Sequence, residues 1–152
     1  RSKLFDELRV LGADQVFLDG EEGQVAAKDL LGGAKAVLAF NSVGGESALR
    51  LMKLLRTGGT HITYGAMGRK AVTVPNGELI FRDIRVRGFW VSRWVKQTPM
   101  DEILAIYQDL AGRVAAGKLT QLVDTTFPLE EFQKALARLE APDRSGKVLF
   151  VP

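Results

Sequence analysis

Helical and extended runs alternate along this chain with little between them, and that alternation restricts the fold more than any other property of the sequence. Leu4, Leu8 and Leu11 make a helical stripe that stops at Gly12, where a C-terminal cap is favoured, and residues 15–18 then read as a strand. Residues 22–31 form a second helix closed by Gly32 and Gly33. The run at 36–40, Ala-Val-Leu-Ala-Phe, is an all-apolar strand of the kind buried on both faces. A third helix, 47–56, ends ahead of Gly58 and Gly59, and a strand at 60–64 follows.

After a loop and a short helical turn at 79–82, the β-branched and aromatic run 84–91 reads as another strand. Met100, Ile103, Leu104, Tyr107, Leu110 and Val114 recur at helical spacing, with Gly117 as the stop. A strand at 122–127, a helix at 129–139 opened by Pro128, and a strand at 147–151 complete the chain. Strands joined through single helices run parallel, because a right-handed crossover returns each to the same edge. The expected class is therefore α/β and doubly wound. In such sheets ligands sit beyond the carboxyl ends of the strands, which singles out residues 41–45 and 64–68.

Composition narrows the partners. The 21 Lys and Arg against 18 Asp and Glu leave a formal charge of +3, too small and scattered for a nucleic-acid surface, although Arg82, Arg85, Arg87 and Arg93 cluster. There is no Cys, and 46% of the residues are hydrophobic, so disorder and a disulfide scaffold are excluded. A chain of this size can bury roughly 70% of its unfolded surface, enough for a real core. The longest apolar stretch, 36–40, falls far short of the roughly 20 residues that span a bilayer, and no basic-then-apolar leader opens the chain, which points to a soluble compartment. A chain that opens on Arg1, without Met, and passes almost directly into a helical pattern reads as a segment of something longer.

Three stretches carry candidate chemistry. Asn41-Ser42-Val43-Gly44-Gly45 leaves a strand and enters a helix, where glycine allows close approach and the free N–H groups attract an anion; the same residues would also make an ordinary tight turn. Tyr64-Gly65-Ala66-Met67-Gly68 ends the next strand and faces the same crevice. Gly88-Phe89-Trp90-Val91 offers main-chain groups that could bond an amide, and serves equally as aromatic packing in a core or a dimer seam. Two other patterns fail. Gly112 and Gly117-Lys118 match the spacing of a phosphate loop, but the intervening residues continue a helix and Leu119 replaces the magnesium-binding hydroxyl residue. The lone His61 lies in a strand with no Cys or second His, so it reads as a satisfied structural residue and not as a ligand. No G-x-G-x-x-G occurs, and no catalytic set can be assembled from spacing: the residues alone give a binding crevice without a catalyst.

Taken together, the opening helix ending Leu-Gly-Ala-Asp, Phe-Asn-Ser-Val-Gly-Gly at 40–45, Tyr-Gly-Ala-Met at 64–67, the run at 79–92 and Phe-Pro-Leu-Glu-Glu-Phe at 127–132 resemble the medium-chain dehydrogenase/reductase superfamily. Within it, the Tyr-Gly-x-Met and Gly-Phe-Trp pieces look like those of the zinc-independent 2-enoyl thioester reductases of mitochondrial type, with quinone oxidoreductases and zinc-type alcohol dehydrogenases as cousins. The resemblance covers only about the C-terminal half of such an enzyme. It implies NADPH-dependent reduction of the 2,3 double bond of an enoyl-CoA or enoyl-ACP in fatty acid synthesis, with a tyrosine of an N-terminal catalytic domain assisting.

The same resemblance implies half a cofactor site: Tyr64, Gly65, Ala66 and Met67 beside the nicotinamide and its ribose, Phe89, Trp90 and Val91 holding the carboxamide through the backbone, Arg1 on the 2′-phosphate, and Lys147 near the cofactor, with Asn41 and Val43 as weaker candidates. No catalytic residue and no metal ligand is assigned to this chain; zinc ligands in the wider superfamily would lie in the other half. Ala66 stands where the branch commonly has Gly, so its loop is expected to use negative φ.

The implied architecture is a partial doubly wound, Rossmann-like sheet lacking its first strands: residues 1–121 form the partial NADP-binding domain, and residues 122–152 return toward the catalytic domain. With strands ordered 3-2-1-4-5-6, the segment at 15–19 is expected either to stand detached or to pair directly with 36–40. The whole enzyme is expected to be a homodimer with no membrane span and no nucleic-acid partner, cytoplasmic if bacterial or mitochondrial if eukaryotic. A reading of another class is a non-catalytic dimerisation module that kept the sheet and lost the chemistry.

Overall fold

The computed structural model describes residues 4–152, which divide after Gln97 into two compact units, the second being Thr98–Pro152. In the first unit α1 (Phe5–Val10) and α2 (Glu21–Leu30) precede β1 (Ala36–Asn41), α3 (Gly45–Leu54), β2 (Leu55–Thr63), α4 (Asn76–Ile80), β3 (Arg85–Gly88) and α5 (Val91–Gln97). The three strands form one parallel sheet in the order β1-β2-β3, as single-helix crossovers require. Residues 15–18 are not a strand and join no sheet; Arg50 of α3 holds this segment through Asp19, at 2.8 Å and 3.0 Å to one carboxylate oxygen. Of the two outcomes expected for 15–19, detachment is the one observed.

The core of this unit is narrow. Ala48 and Met52 on one face of α3 meet Leu55 and Ile84, with Ala36, Ala39, Val72 and Val74 around them. Burying a side chain such as Met52 is worth about 1.5–3 kcal/mol, so α3 is held mainly by this stripe. The other face of the sheet is open: Leu38 and Phe40, alternate residues on that face, are 46% and 59% exposed, so β1 is not buried on both faces as its composition suggests. One face packs on α3, and within the described residues of the first unit no strand pairs with the outer edge of β1.

Two further elements differ from the sequence pattern. β2 starts at Leu55, directly after α3, because Leu55 turns extended to enter the core, where it is wholly buried. The ladder then breaks: Ala36 faces Leu55 and Leu38 faces Thr60, so residues 56–59 loop out opposite Val37. Gly58 takes φ +73° within this excursion, and Arg82 fastens it by accepting the Gly58 N–H on its carbonyl oxygen at 2.9 Å and donating to the Leu55 carbonyl oxygen. The expected strand 84–91 is shorter and ends at Gly88, since the Trp90 carbonyl accepts the Arg93 and Trp94 N–H groups at 3.1 Å and opens α5.

The second unit contains α6 (Met100–Ala115), β4 (Val123–Pro128), a 3-10 turn at Leu129–Glu131, α7 (Phe132–Glu140) and β5 (Lys147–Val151), with β4 and β5 parallel. Gly112 lies inside α6 and Gly117 ends its last turn at φ +68°, which removes the phosphate-loop match. Arg138 of α7 grips Asp124 of β4 with Nε and Nη2 at 2.6 Å and 2.7 Å and reaches Asp143 with Nη1 at 2.8 Å. The Ser145 N–H adds a bond to Asp124 at 2.9 Å. These donors, Arg138 first, hold the Asp124 carboxyl well below the ordinary carboxylate range. No helix among the described residues is long and apolar enough to cross a membrane.

Candidate functional site

The carboxyl ends of β1, β2 and β3 are tied into one rim by main-chain hydrogen bonds. The Tyr64 N–H donates to the Asn41 carbonyl at 3.0 Å, Met67 to Ser42 at 2.8 Å and Gly68 to Val43 at 2.9 Å, while Gly44 forms a parallel bridge with Lys70. On the other side, the Phe89 N–H donates to the Thr63 carbonyl at 2.9 Å. The loops around Val43, Met67 and Trp90 are thus successive along one edge of the sheet.

Glycine is required here for two different reasons. Gly44 has φ +86° and Gly45 φ +55°, and a Cβ on Gly44 would stand 2.5 Å from the Lys70 carbonyl oxygen. Gly65 and Gly68 are needed for closeness alone: their Cβ atoms would lie 3.0 Å from the Ser42 oxygen and 2.9 Å from the Val43 oxygen. Ala66 is not among the residues with positive φ, as expected from its side chain, so the departure from Gly leaves the loop unstrained.

Phe40, Ile62, Tyr64 and Phe89 line an apolar cleft of about 500 Å³ on the uncovered face of the sheet, with the Phe40 and Tyr64 rings edge to face at 6.5 Å. Tyr64, Met67, Phe89, Trp90 and Val91 are exposed at the rim. A second cleft of about 330 Å³ beside the tip of β1 is lined by Phe17, Asp19, Ser42, Val43 and Arg50 among others. A flat, partly apolar ring suits the first, and the donor-rich turn at 41–45 borders the second.

The expected site residues divide. Tyr64, Gly65, Ala66, Met67, Phe89, Trp90 and Val91 share the rim; Lys147 opens β5 in the second unit; Arg1 lies outside the described residues. Lys147 is placed by its own N–H donating to the Leu122 carbonyl at 2.8 Å and by Gly146, whose φ is +105° and where an added Cβ would stand 2.6 Å from the same oxygen. Sequence reasoning missed Lys70 as the partner of Gly44 and Ser42 as the acceptor for Met67; both act through the backbone, which side-chain identity does not reveal.

His61 departs from expectation. It is fully buried in β2, yet neither ring nitrogen has a hydrogen-bond partner in the protein, and neither does Thr63 Oγ1 on the same strand face. Burial pushes the imidazole pKa down and keeps it neutral. Arg82 and Arg85 of the basic cluster are engaged by Glu78 and Asp83. Among the described residues, no group of three or more His, Cys, Asp or Glu could hold a metal ion.

A parallel sheet whose strand-tip loops gather over glycine-rich turns defines a Rossmann-like type of α/β protein, in which ligands sit beyond the carboxyl ends of the strands. Residues 11–149 match the zinc-binding dehydrogenase family, and the chain belongs to that family, within the medium-chain dehydrogenase/reductase superfamily. It is 38% identical to the mitochondrial enoyl-[acyl-carrier-protein] reductase of Xenopus tropicalis over 99% of its length and 44% of that protein. With the Arabidopsis thaliana enzyme of the same name it shares 40% identity over 86% of this chain and 35% of the relative. The chain therefore spans less than half of the curated relatives it matches.

Among solved structures, the mitochondrial 2-enoyl thioester reductase heterodimer Etr1p/Etr2p of Candida tropicalis superposes with a TM-score of 0.75 at 27% identity, covering 91% of this chain and 42% of that one. A complex of Etr1p with NADP and crotonyl-CoA superposes at 0.73 with 27% identity over 90% of this chain and 41% of that one. A quinone-reductase-type chain from Mesorhizobium loti reaches 0.84 at 23% identity, over 100% of this chain and 44% of that one, a likeness that carries the fold alone.

Proposed function

We propose that this chain is the cofactor-side half of an NADPH-dependent reductase of the 2,3 double bond in enoyl thioesters carried on CoA or acyl carrier protein. The carrying observation is that one rim gathers Tyr64, Met67, Phe89 and Trp90, in a chain alignable over 90% of its length with a reductase whose complex holds NADP and crotonyl-CoA. The aromatic cleft and its neighbouring glycine turns fit the nicotinamide end of the cofactor. When bound, NADPH supplies a hydride for the β-carbon of the substrate.

The protein groups orient that end. Tyr64, Gly65, Ala66 and Met67 border the ring and ribose, and residues 89–91 hold the carboxamide. Since the Phe89 N–H and the Trp90 carbonyl are already spent on protein partners, the carboxamide falls to the Phe89 carbonyl and to the N–H groups of Trp90 and Val91 at the start of α5. Arg1 binds the 2′-phosphate and Lys147 lies near the cofactor. Residues 1–121 form the cofactor domain, and residues 122–152 pack on a catalytic domain supplied by the rest of the whole protein, which acts as a dimer. Mitochondrial relatives support the mitochondrion as its compartment.

Steady-state assays of the whole protein with NADPH test this reading: a short enoyl-CoA should be reduced faster than a quinone, and the reverse order overturns it. Replacing Arg1 with Ala should weaken NADPH binding by about 1.5–3 kcal/mol, the worth of a charge-assisted hydrogen bond, and leave NADH binding unchanged. An unaltered preference between the two cofactors removes Arg1 from the site.

A further inference from the structure

Asn41, the last residue of β1, is 2% exposed, and its carboxamide is bonded to protein groups at the edge of the cleft. It is turned inward. Oδ1 accepts the Gly44 N–H at 2.7 Å and Nδ2 donates to Ser47 Oγ at 3.2 Å, while its main-chain oxygen receives the Tyr64 N–H at 3.0 Å. One residue thus joins the turn, the first turn of α3 and the tip of β2.

The Oδ1 contact closes a short side-chain-capped turn around Ser42 and Val43, and so sets where their carbonyl oxygens point. Those two oxygens are the acceptors for the Met67 and Gly68 N–H groups, at 2.8 Å and 2.9 Å. Thr63 is the ladder partner of Asn41, yet its Oγ1 makes no hydrogen bond. The carboxamide is therefore committed to the turn, not to cross-strand pairing.

We infer that Asn41 is the positioning residue of the strand-tip site: it touches no cofactor, and it fixes the 64–68 loop against the start of α3 so that Tyr64 and Met67 are presented in one arrangement. This rests on the cofactor reading above. The coupling itself is a property of the free protein and can be read without any ligand.

Hydrogen exchange of the whole protein without cofactor is the first arm of the test. Asn41→Ala should speed exchange at the Met67 and Gly68 amides by about tenfold or more while the Phe89 amide keeps its protection. Asn41→Asp should restore that protection, since a carboxylate still accepts from Gly44 and can accept from the Ser47 hydroxyl, beside a helix N-terminus that favours negative charge. The second arm is fluorescence titration with NADPH well below the unfolding midpoint, where Asn41→Ala should raise Kd by about tenfold or more and leave kcat at saturating NADPH within about threefold.

Protection lost evenly across the sheet with an unchanged Kd would make Asn41 a general structural residue and overturn the inference alone. A wild-type protein that binds no NADPH overturns the cofactor reading and the inference with it. Should Asn41→Ala fail to fold, Ser47→Ala removes the Nδ2 partner only; exchange at Met67 and Gly68 should then rise by about threefold, and no change there overturns the inference.

Discussion

Gly68 lies opposite Val43 with room for a hydrogen but not for a methyl group, and Gly65 lies opposite Ser42 with room for one only if its neighbour gives by a few tenths of an ångström, whereas Ala66 between them already carries one. The three positions should therefore respond differently to nearly the same change. Gly68→Ala must push the Val43 carbonyl aside and is expected to cost about 1–3 kcal/mol of stability, the range for overpacking a tight contact. Ala66→Gly should cost less than about 1 kcal/mol, through chain entropy alone. Urea unfolding of the two variants checks this, and equal losses would mean the loop approach is not tight. The positions of the loops at 41–45 and 64–68 were legible in the sequence because alternating strands and helices put them at the carboxyl ends of neighbouring parallel strands. The part played by Asn41 was not, since it depends on which backbone groups come within 3 Å of it.

Buried His61 belongs to the element scale because its burial is a property of β2 between β1 and β3, with Ala39 and Val86 as its ladder partners. The folded state holds it neutral with a lowered pKa, so the unfolded chain takes up the proton more readily. Stability is then fully present above the unfolded value near 6.5 and falls as pH drops below it. Denaturation midpoints should decline between about pH 7 and 5.5, and His61→Leu should flatten that decline, because it removes the titrating group together with two unbonded nitrogens. A slope unchanged in His61→Leu would assign the effect elsewhere.

Elements with a long, unambiguous period were readable from sequence: α6 and β5 match their expected bounds almost residue for residue. α5 was not, because Phe-Trp-Val is as good a strand composition as any and only the Trp90 carbonyl, accepting two N–H groups ahead of it, turns the chain into a helix. The early start of β2 was hidden likewise. Leu55 leaves α3 to fill the core, a tertiary choice that local propensity does not encode. The segment at 15–18 has strand composition and no strand beside it to pair with.

At the scale of the molecule, the exposed apolar residues of β1 are the liability. Val37 and Phe40 lie on a strand whose outer edge has no partner among the described residues, the arrangement that invites sheet-to-sheet association. Produced on its own, the chain should self-associate at micromolar concentrations, and Val37→Lys should shift it toward monomer in size-exclusion chromatography with light scattering. Self-association unaffected by that charge would place the sticky surface away from the β1 edge. The core is small although apolar residues are plentiful, because many of them are exposed on β1, α6 and α7.

The looped-out residues 56–59 carry a further meaning. Four residues leave one side of the β1–β2 ladder where a single one, Val37, leaves the other, and Arg82 pins the surplus in place. A one-step slide of either strand would have to drag that surplus past Leu55 and into the packed interior. The staggering of the two strands consequently has one workable setting, and their far ends, where a ligand would be met, arrive level every time the chain folds.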